Sequence, residues 1–109
     1  MEIQFHAAVR AELAALPLPE QRAISHAVEK LAVLGAQLPF PHASKVQGGA
    51  ALFELRPRAG RSPWRAFYRQ VGAIMVISAI GPESRVDPRG FARAVDAAEQ
   101  RLAALEERD

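Results

Sequence analysis

The sequence contains the stretch LFELRPRAGRSPWRAFYR at residues 52–69, in which apolar residues alternate with arginines around a Gly/Ser/Pro break. Alternation with a period of two, bounded by turn residues, is typical of two β-strands joined in a hairpin. In the first strand Phe53 and Leu55 share one face, so that face is predicted to point toward the core. In the second strand neither face is cleanly apolar, which leaves its orientation open. The hairpin therefore requires a sheet that also carries arginines.

The residues on either side of the hairpin complete the predicted sheet. Gly72 and Ala73 are typical of a tight turn with glycine first, and they lead into an apolar run at residues 74–80. A continuous run rich in β-branched residues is typical of a central strand buried on both faces. Residues 36–50 show no sustained period and are interpreted as a loop with a short strand at 44–46.

Helical periodicity precedes and follows the strands. Apolar residues recur every three or four positions in residues 5–16 and again in residues 19–34, which predicts two helices. Gly35 is expected to end the second helix. Residues 1–5 fit either an edge strand or the entry to the first helix. Asp87, followed by a proline, is typical of a capped helix start, so a third helix is predicted from there to the C-terminus.

These elements predict an α+β fold. Residues 1–109 are expected to form a single domain with two N-terminal helices, a small antiparallel sheet of three strands and a C-terminal helix. The helices are predicted to pack on one face of the sheet. This arrangement is large enough to bury one core without a metal or disulfide.

Composition excludes several classes of protein. The 109 residues contain no cysteine, which removes disulfide scaffolds, thiolate zinc sites and cysteine nucleophiles. The three histidines show no spacing that would put two of them on one helical face, so no metal site and no cofactor are expected. No signal-peptide pattern opens the chain, and the longest apolar run is too short to span a bilayer. We therefore expect a soluble cytoplasmic protein that does not contact a membrane.

Positive charge is concentrated around the hairpin. Lys45 to Arg69 contains six Lys or Arg residues against Glu54 alone, whereas residues 1–44 sum to −1 and residues 70–109 to −2. A solvated place on the sheet surface is the simpler interpretation of any single arginine. That interpretation is less convincing for five arginines so close together, because neighbouring like charges repel one another. An anionic ligand or an acidic polypeptide would supply the counter-charge, and the guanidinium fork suits phosphate.

Three other side chains near this cluster have alternative interpretations. Tyr68 fits a residue at the edge of the core or a platform on which a nucleobase stacks. Glu54 is interpreted as a salt-bridge partner of the arginines, with a role as general base as the alternative. His42 is a possible acid or base, although a single histidine is a weak signal.

The order of these motifs resembles the HigB-like, phage-derived branch of the RelE/ParE toxin superfamily. LFELR at residues 52–56 and WRAFY at 64–68, followed by an apolar strand and a helix rich in Arg and Ala, are similar to that family's "elR" strand, "yRvfY" strand and later elements. The opening FHAAV at residues 5–9 and the position of Lys45 are similar as well. The chain differs after the last strand, where GPESR at residues 81–85 replaces the family's Phe-x-Lys-Lys segment.

The resemblance implies a toxin of a type II toxin–antitoxin pair that cleaves mRNA on the ribosome. Such enzymes use the substrate's own 2′-hydroxyl to attack the adjacent phosphate, and arginines stabilise the charge that develops there. Arg65 is then the expected phosphate clamp, Arg85 a clamp or acid-side donor, and Arg56 the match to the "elR" arginine. Lys45 and Tyr68 are expected to contact substrate or transfer a proton.

The resemblance also implies binding partners. Arg58, Arg61 and Arg69 are expected to bind RNA, and the expected partners are the ribosome, mRNA and a cognate antitoxin of helix-turn-helix type. An acidic or helical segment of the antitoxin would cover the basic face. Two alternatives stay open: a ParE-like inhibitor of DNA gyrase, which shares the fold, and a basic interaction domain without catalysis, which the missing lysines suggest.

Overall fold

The computed structural model describes residues 1–48 and 50–107. The strands are β1 Glu2–Phe5, β2 Ala43–Lys45, β3 Phe53–Leu55, β4 Trp64–Val71 and β5 Ile74–Pro82. The helices are α1 Val9–Ala14, α2 Leu18–Leu34 and α3 Pro88–Glu106, with short 3-10 helices at Gly35–Gln37 and Pro57–Gly60. Position 49 of the predicted loop and the last two positions of the predicted C-terminal helix lie outside the described residues.

The five strands form one sheet in the order β1-β5-β4-β3-β2. The pairs from β2 to β5 are antiparallel, and the predicted α+β class is confirmed. The prediction of an entirely antiparallel sheet is wrong at one edge, where β1 pairs with β5 in parallel. Parallel neighbours need a long crossover instead of a hairpin turn, so no local turn signal reveals this pairing. Of the two interpretations of residues 1–5, the edge strand is the correct one.

Helices cover both faces of the sheet, so the prediction that they share one face is wrong. On one side α1 and α2 pack on β3, β4 and β5, with Leu55 and Ile77 among the buried residues, and Phe53 packs against this cluster as predicted. On the other side α3 covers Leu52 and Phe67. The physical reason is β5, which is apolar on both faces and therefore needs a cover on each.

Two local features position α3. The Asp87 carboxylate accepts a hydrogen bond from the backbone N–H of Gly90 at 2.9 Å, which confirms the predicted N-cap. Gly81 lies where α3 crosses β5, and a Cβ atom there would collide with the side chain of Ala94. The close approach of helix and strand therefore depends on glycine at this position.

An ion pair closes the open edge of β5. Strand β1 ends opposite Ile77, so the backbone of β5 beyond that point has no strand partner on this side. The Glu12 carboxylate accepts from the Ile80 N–H at 3.0 Å and binds both terminal nitrogens of Arg101, at 3.1 and 2.9 Å. Arg101 also donates to the Ser78 carbonyl at 2.9 Å. The pair thus joins α1 to α3 across the strand edge and satisfies backbone groups that β1 does not reach.

We expect Glu12→Ala to lower the free energy of unfolding by about 1–3 kcal/mol, because it leaves Arg101 and the Ile80 N–H without their partner. Urea denaturation measures the loss. Glu29→Ala is the matched control, since Glu29 lies in an exposed pair with His26 at 3.7 Å, where a change of at most about 0.5 kcal/mol is expected. Equal effects of the two substitutions would contradict a structural role for the Glu12–Arg101 pair.

Candidate anion-binding site

A polar cavity of about 180 Å³ opens where the end of β3, the start of β4 and the end of β5 meet. Its lining residues are Glu54, Arg56, Gly60, Arg65, Glu83, Ser84 and Arg85. The antiparallel pairing of β4 with both neighbours brings these distant segments to one end of the sheet. The cavity therefore unites three of the predicted site residues, Arg56, Arg65 and Arg85.

Arg65 lies at the base of this cavity and is almost fully buried, with 2% of its surface exposed. One terminal nitrogen donates to the carbonyls of Ser62 and Trp64, at 2.7 and 2.9 Å. The other donates to the Gly60 carbonyl at 3.3 Å and to the Glu83 carboxylate at 2.6 Å. Four hydrogens on these two nitrogens thus have four protein acceptors, so neither nitrogen has a donor left for a substrate phosphate.

The remaining donor of Arg65 is an unpaired buried N–H. Its Nε atom has no hydrogen-bond partner among the described residues and lies 3.7 Å from the nearest oxygen of Glu54, which is beyond hydrogen-bond range. Burial lowers the pKa of the Arg65 guanidinium, and repulsion from Arg56 lowers it further, while Glu54 and Glu83 act in the opposite direction. Arg65 therefore holds Glu83 by a hydrogen bond and faces Glu54 only as an ion pair at 3.7 Å.

Arg56 forms one wall of the cavity. Its Nε donates to the Pro41 carbonyl at 3.0 Å, and one terminal nitrogen donates to Glu54 at 3.3 Å. The guanidinium also lies over the ring of Phe40, 4.9 Å from its centroid. Gly60 makes room for it, since a Cβ atom at that position would collide with a terminal nitrogen of Arg56. Gly60 also has φ of +92°, a conformation that favours glycine.

Arg85 supplies the exposed positive charge of the cavity. It follows β5, and within residues 1–48 and 50–107 it makes no ion pair or side-chain hydrogen bond. Three arginines against Glu54 and Glu83 leave the cavity with one net positive charge. This balance matches the single negative charge of a phosphodiester.

The structure places the other predicted residues outside this cavity. Arg58 binds Glu20 at 2.7 Å, and Arg69 binds Glu99 at 2.8 Å. Arg61 is exposed, and its Nε donates to the Arg58 carbonyl. Carboxylates distant in sequence thus supply counter-charges that were expected from a ligand.

Lys45 and Tyr68 are also separated from the arginines of the cavity. Lys45 is exposed at the end of β2 and pairs with Phe53 in the sheet. Tyr68 is buried on the face that α1 and α2 cover, where its ring stacks on Phe53 at 5.7 Å. Burial raises the pKa of Tyr68 to about 12. Of the two interpretations of Tyr68, the geometry favours a residue of the core.

Sequence reasoning missed Glu83, Ser84 and Gly60 as parts of the site. In the sequence Glu83 is only an added acid in a segment that departs from the family pattern. Its hydrogen bond to Arg65 joins residues 18 positions apart, and no periodic signal predicts such a contact. The pattern "arginine in a strand, glutamate after the next strand" is the only signal in the sequence that could have suggested it.

Comparison with protein families identifies the chain. The family described as Phage derived protein Gp49-like (DUF891) matches residues 11–79, from α1 to most of β5. The chain belongs to this family. The matched segment includes Glu54, Arg56 and Arg65 but ends before Glu83 and Arg85, so part of the cavity lies outside it. A search of curated proteins found no significant match.

Solved structures of RelE share the fold of this Gp49-like chain. A double mutant of E. coli RelE in the free state matches with a TM-score of 0.61 and 12% identity over 87% of this chain and 94% of that one. RelE in the intact E. coli RelBE toxin–antitoxin complex matches with a TM-score of 0.58 and 13% identity, over 75% of this chain and 95% of that one. RelE in the archaeal RelE–RelB complex from Pyrococcus horikoshii OT3 matches with a TM-score of 0.54 and 21% identity, over 77% of this chain and 96% of that one. The predicted RelE-type fold is confirmed, and the HigB-like branch stays a prediction.

Two further findings concern the described residues as a whole. None of their helices combines the length and the apolar character that crossing a membrane requires. No group of three or more potential metal ligands occurs among them.

We expect Arg65→Met to lower the free energy of unfolding by about 3–5 kcal/mol, because it leaves Glu83 and several buried carbonyls without a donor. Arg65→Lys keeps the charge but offers three donors to four acceptors, so a smaller loss is expected. Urea denaturation measures both. Arg61→Ala is the control and should change stability by at most about 0.5 kcal/mol, since Arg61 is exposed. An Arg65→Met variant with the same free energy of unfolding as the wild type would contradict the structural role of Arg65.

The Glu20 carboxylate should make stability depend on pH. Hydrogen bonds from Arg58 and then Ser62 lower its pKa in the folded protein. The stabilisation is therefore present above the unfolded pKa of about 4.3 and disappears as the pH falls through the lowered folded value. We expect the wild type to exceed Glu20→Gln in stability at about pH 7 and the difference to shrink below about pH 4. A difference that stays constant from about pH 7 to about pH 3 would contradict this linkage.

Proposed function

We propose that this chain is the toxin of a type II toxin–antitoxin pair and that it cleaves mRNA on the ribosome. The observation that carries the proposal is the cavity with Arg56, Arg65 and Arg85 around a space with one net positive charge. The shared fold with RelE, which two of the matching structures describe in complex with RelB, supports it. A guanidinium cluster of this kind suits a phosphodiester, because its donors remain charged at any working pH.

The proposed reaction is attack of a substrate 2′-hydroxyl on the adjacent phosphate. The phosphate passes from one negative charge to a more negative phosphorane, and Arg85 and Arg56 stabilise that added charge. Arg65 is a positioning residue in this scheme, since its terminal nitrogens are fully engaged by the protein. This assignment differs from the expectation that Arg65 itself clamps the phosphate.

Glu54 is the proposed acceptor of the 2′-hydroxyl proton. One of its oxygens accepts from Ser44 at 3.2 Å and from Arg56 at 3.3 Å. The other oxygen makes no hydrogen bond within the described chain, so it is free to accept from a substrate. Attack forms the bond from the 2′-oxygen to phosphorus and breaks the bond from phosphorus to the 5′-oxygen, so the products are a 2′,3′-cyclic phosphate and a 5′-hydroxyl. Arg85 stays charged and donates a hydrogen bond to the leaving 5′-oxygen, which takes its proton from water. This keeps the acid-side role expected from the resemblance.

The proposal includes an antitoxin partner and a cytoplasmic site of action. An antitoxin of helix-turn-helix type would neutralise the toxin by covering the cavity with an acidic or helical segment. Exposed cations such as Arg61, Lys45 and Arg85 are available to such a segment and to ribosomal RNA.

We expect Arg85→Ala to reduce cleavage of mRNA on purified ribosomes by about 10²–10³-fold, as removal of one transition-state donor does elsewhere. Arg85 suits this test better than Arg65, because an exposed side chain can be removed without unfolding the protein. Arg10→Ala is the matched control, an exposed arginine on α1 and outside the cavity that should leave cleavage within a few-fold of wild type. The assay maps new 5′ ends within the message.

Each outcome of the ribosome assay has a distinct meaning. Absence of cleavage by the wild type at every codon would overturn the proposal. Inhibition of DNA supercoiling in a purified gyrase assay would then favour the ParE-like alternative, and normal growth of cells that express the chain alone would favour an inactive interaction domain. Cleavage that Arg85→Ala leaves unchanged would remove this cavity as the catalytic site.

A further inference from the structure

A second cavity, of about 400 Å³, lies beside the candidate site and is here called the α2 groove. Its charged or titratable lining residues are Arg22, His26 and Lys30 on α2 and His42, Arg56 and Arg58 on the opposite wall. Within the described chain no Asp or Glu lines it. The groove is therefore more uniformly basic than the candidate anion-binding site, where two glutamates offset three arginines.

The α2 wall carries its charge in one row. Arg22, His26 and Lys30 are spaced four residues apart, so their side chains follow one another along the same helical face. All three are exposed, and in the described part of the chain Arg22 and Lys30 make no ion pair or side-chain hydrogen bond. At a rise of about 1.5 Å per residue, Arg22 and Lys30 lie about 12 Å apart along the helix axis. A linear polyanion can therefore contact both.

The opposite wall is already partly neutralised. Arg58 binds Glu20 at 2.7 Å, and Arg56 binds Glu54 at 3.3 Å. The uncompensated charge of the groove is therefore that of Arg22 and Lys30, and these two residues should carry most of its attraction for an anion.

Arg56 connects the groove to the candidate site, because it lines both cavities. Beside it, the Phe40 side chain is an exposed aromatic, with 69% of its surface accessible. Arg56 occupies one side of the ring at 4.9 Å from the centroid. An exposed aromatic ring next to a guanidinium is a typical platform for an unstacked nucleobase.

We propose that the α2 groove binds single-stranded RNA, with phosphates along Arg22 and Lys30 and a base stacked on Phe40. Its position next to the scissile phosphate rests on the proposed function. A cationic row combined with an exposed aromatic favours RNA over an acidic polypeptide, which has no planar base to stack on Phe40.

Fluorescence anisotropy tests the groove directly. The probe is a labelled single-stranded RNA hexanucleotide with 2′-O-methyl groups, which cannot undergo 2′-hydroxyl attack. We expect Arg22→Ala/Lys30→Ala to weaken binding at least about tenfold and to reduce the slope of log K against log salt concentration by about 1.4, or about 0.7 for each lost phosphate contact. The charge-matched control is Arg10→Ala/Arg93→Ala, which removes two exposed arginines from other helices. It should keep the wild-type salt slope.

The same assay tests the stacking platform. We expect Phe40→Ala to weaken binding about fivefold or more, and Phe40→Tyr to restore it, because a tyrosine ring also stacks on a base. Phe5→Ala is the control, since Phe5 is 51% exposed and lies on β1 at the opposite edge of the sheet. If Phe40→Ala binds the RNA as tightly as the wild type, the proposed stacking of a base on Phe40 is wrong.

The results for the groove and for the proposed function can be separated. The proposal that the α2 groove binds RNA would be overturned if the wild-type protein does not bind the oligonucleotide. It would also be overturned if the Arg22→Ala/Lys30→Ala variant binds it as tightly as the control variant does. Either result would stand even if the protein cleaves mRNA on the ribosome. Binding through the groove without any cleavage would overturn the proposed function and leave the RNA site standing. Binding of a polyglutamate peptide in the groove, with no binding of RNA, would overturn the choice of ligand.

Discussion

The buried guanidinium of Arg65 is the interaction on which the rest of the site depends. A charge taken out of water is costly unless hydrogen bonds and counter-charges surround it. Here the carbonyls of Ser62, Trp64 and Gly60 and the carboxylate of Glu83 supply that surrounding. The turn between β3 and β4 and the segment after β5 are thereby joined by one side chain, which shapes the cavity.

The arginines of the hairpin consequently divide into two groups. Arg58, Arg65 and Arg69 pair with carboxylates and join segments of the chain that are far apart in sequence. Arg56 has both functions, since it binds Glu54 and also lines the candidate site and the α2 groove. Arg61 has no carboxylate partner in the described chain and is exposed, as is Arg85 beyond the hairpin, so an anionic ligand can reach both. A local count of charges cannot separate these groups.

The local elements of the fold were predictable because their causes are local. The β3–β4 hairpin, the interior strand β5 and the cap at Asp87 follow from alternation, β-branched composition and capping chemistry. The parallel pairing of β1 and the placement of α3 on the second face were not predictable, since both depend on contacts between distant segments. The orientation of β4 follows only from the helical cover on both faces of the sheet.

The sequence by itself determined the α+β class, the hairpin with its concentration of arginines and the resemblance to RelE-type toxins. The tertiary structure alone decided which arginines are free, because Glu20, Glu83 and Glu99 reach their partners from 18 to 38 positions away. It also decided that Tyr68 belongs to the core and that Arg22 and Lys30 face a groove beside Arg56. The physical reason is that charge compensation and burial are set by neighbours in space, which periodicity along the chain does not specify.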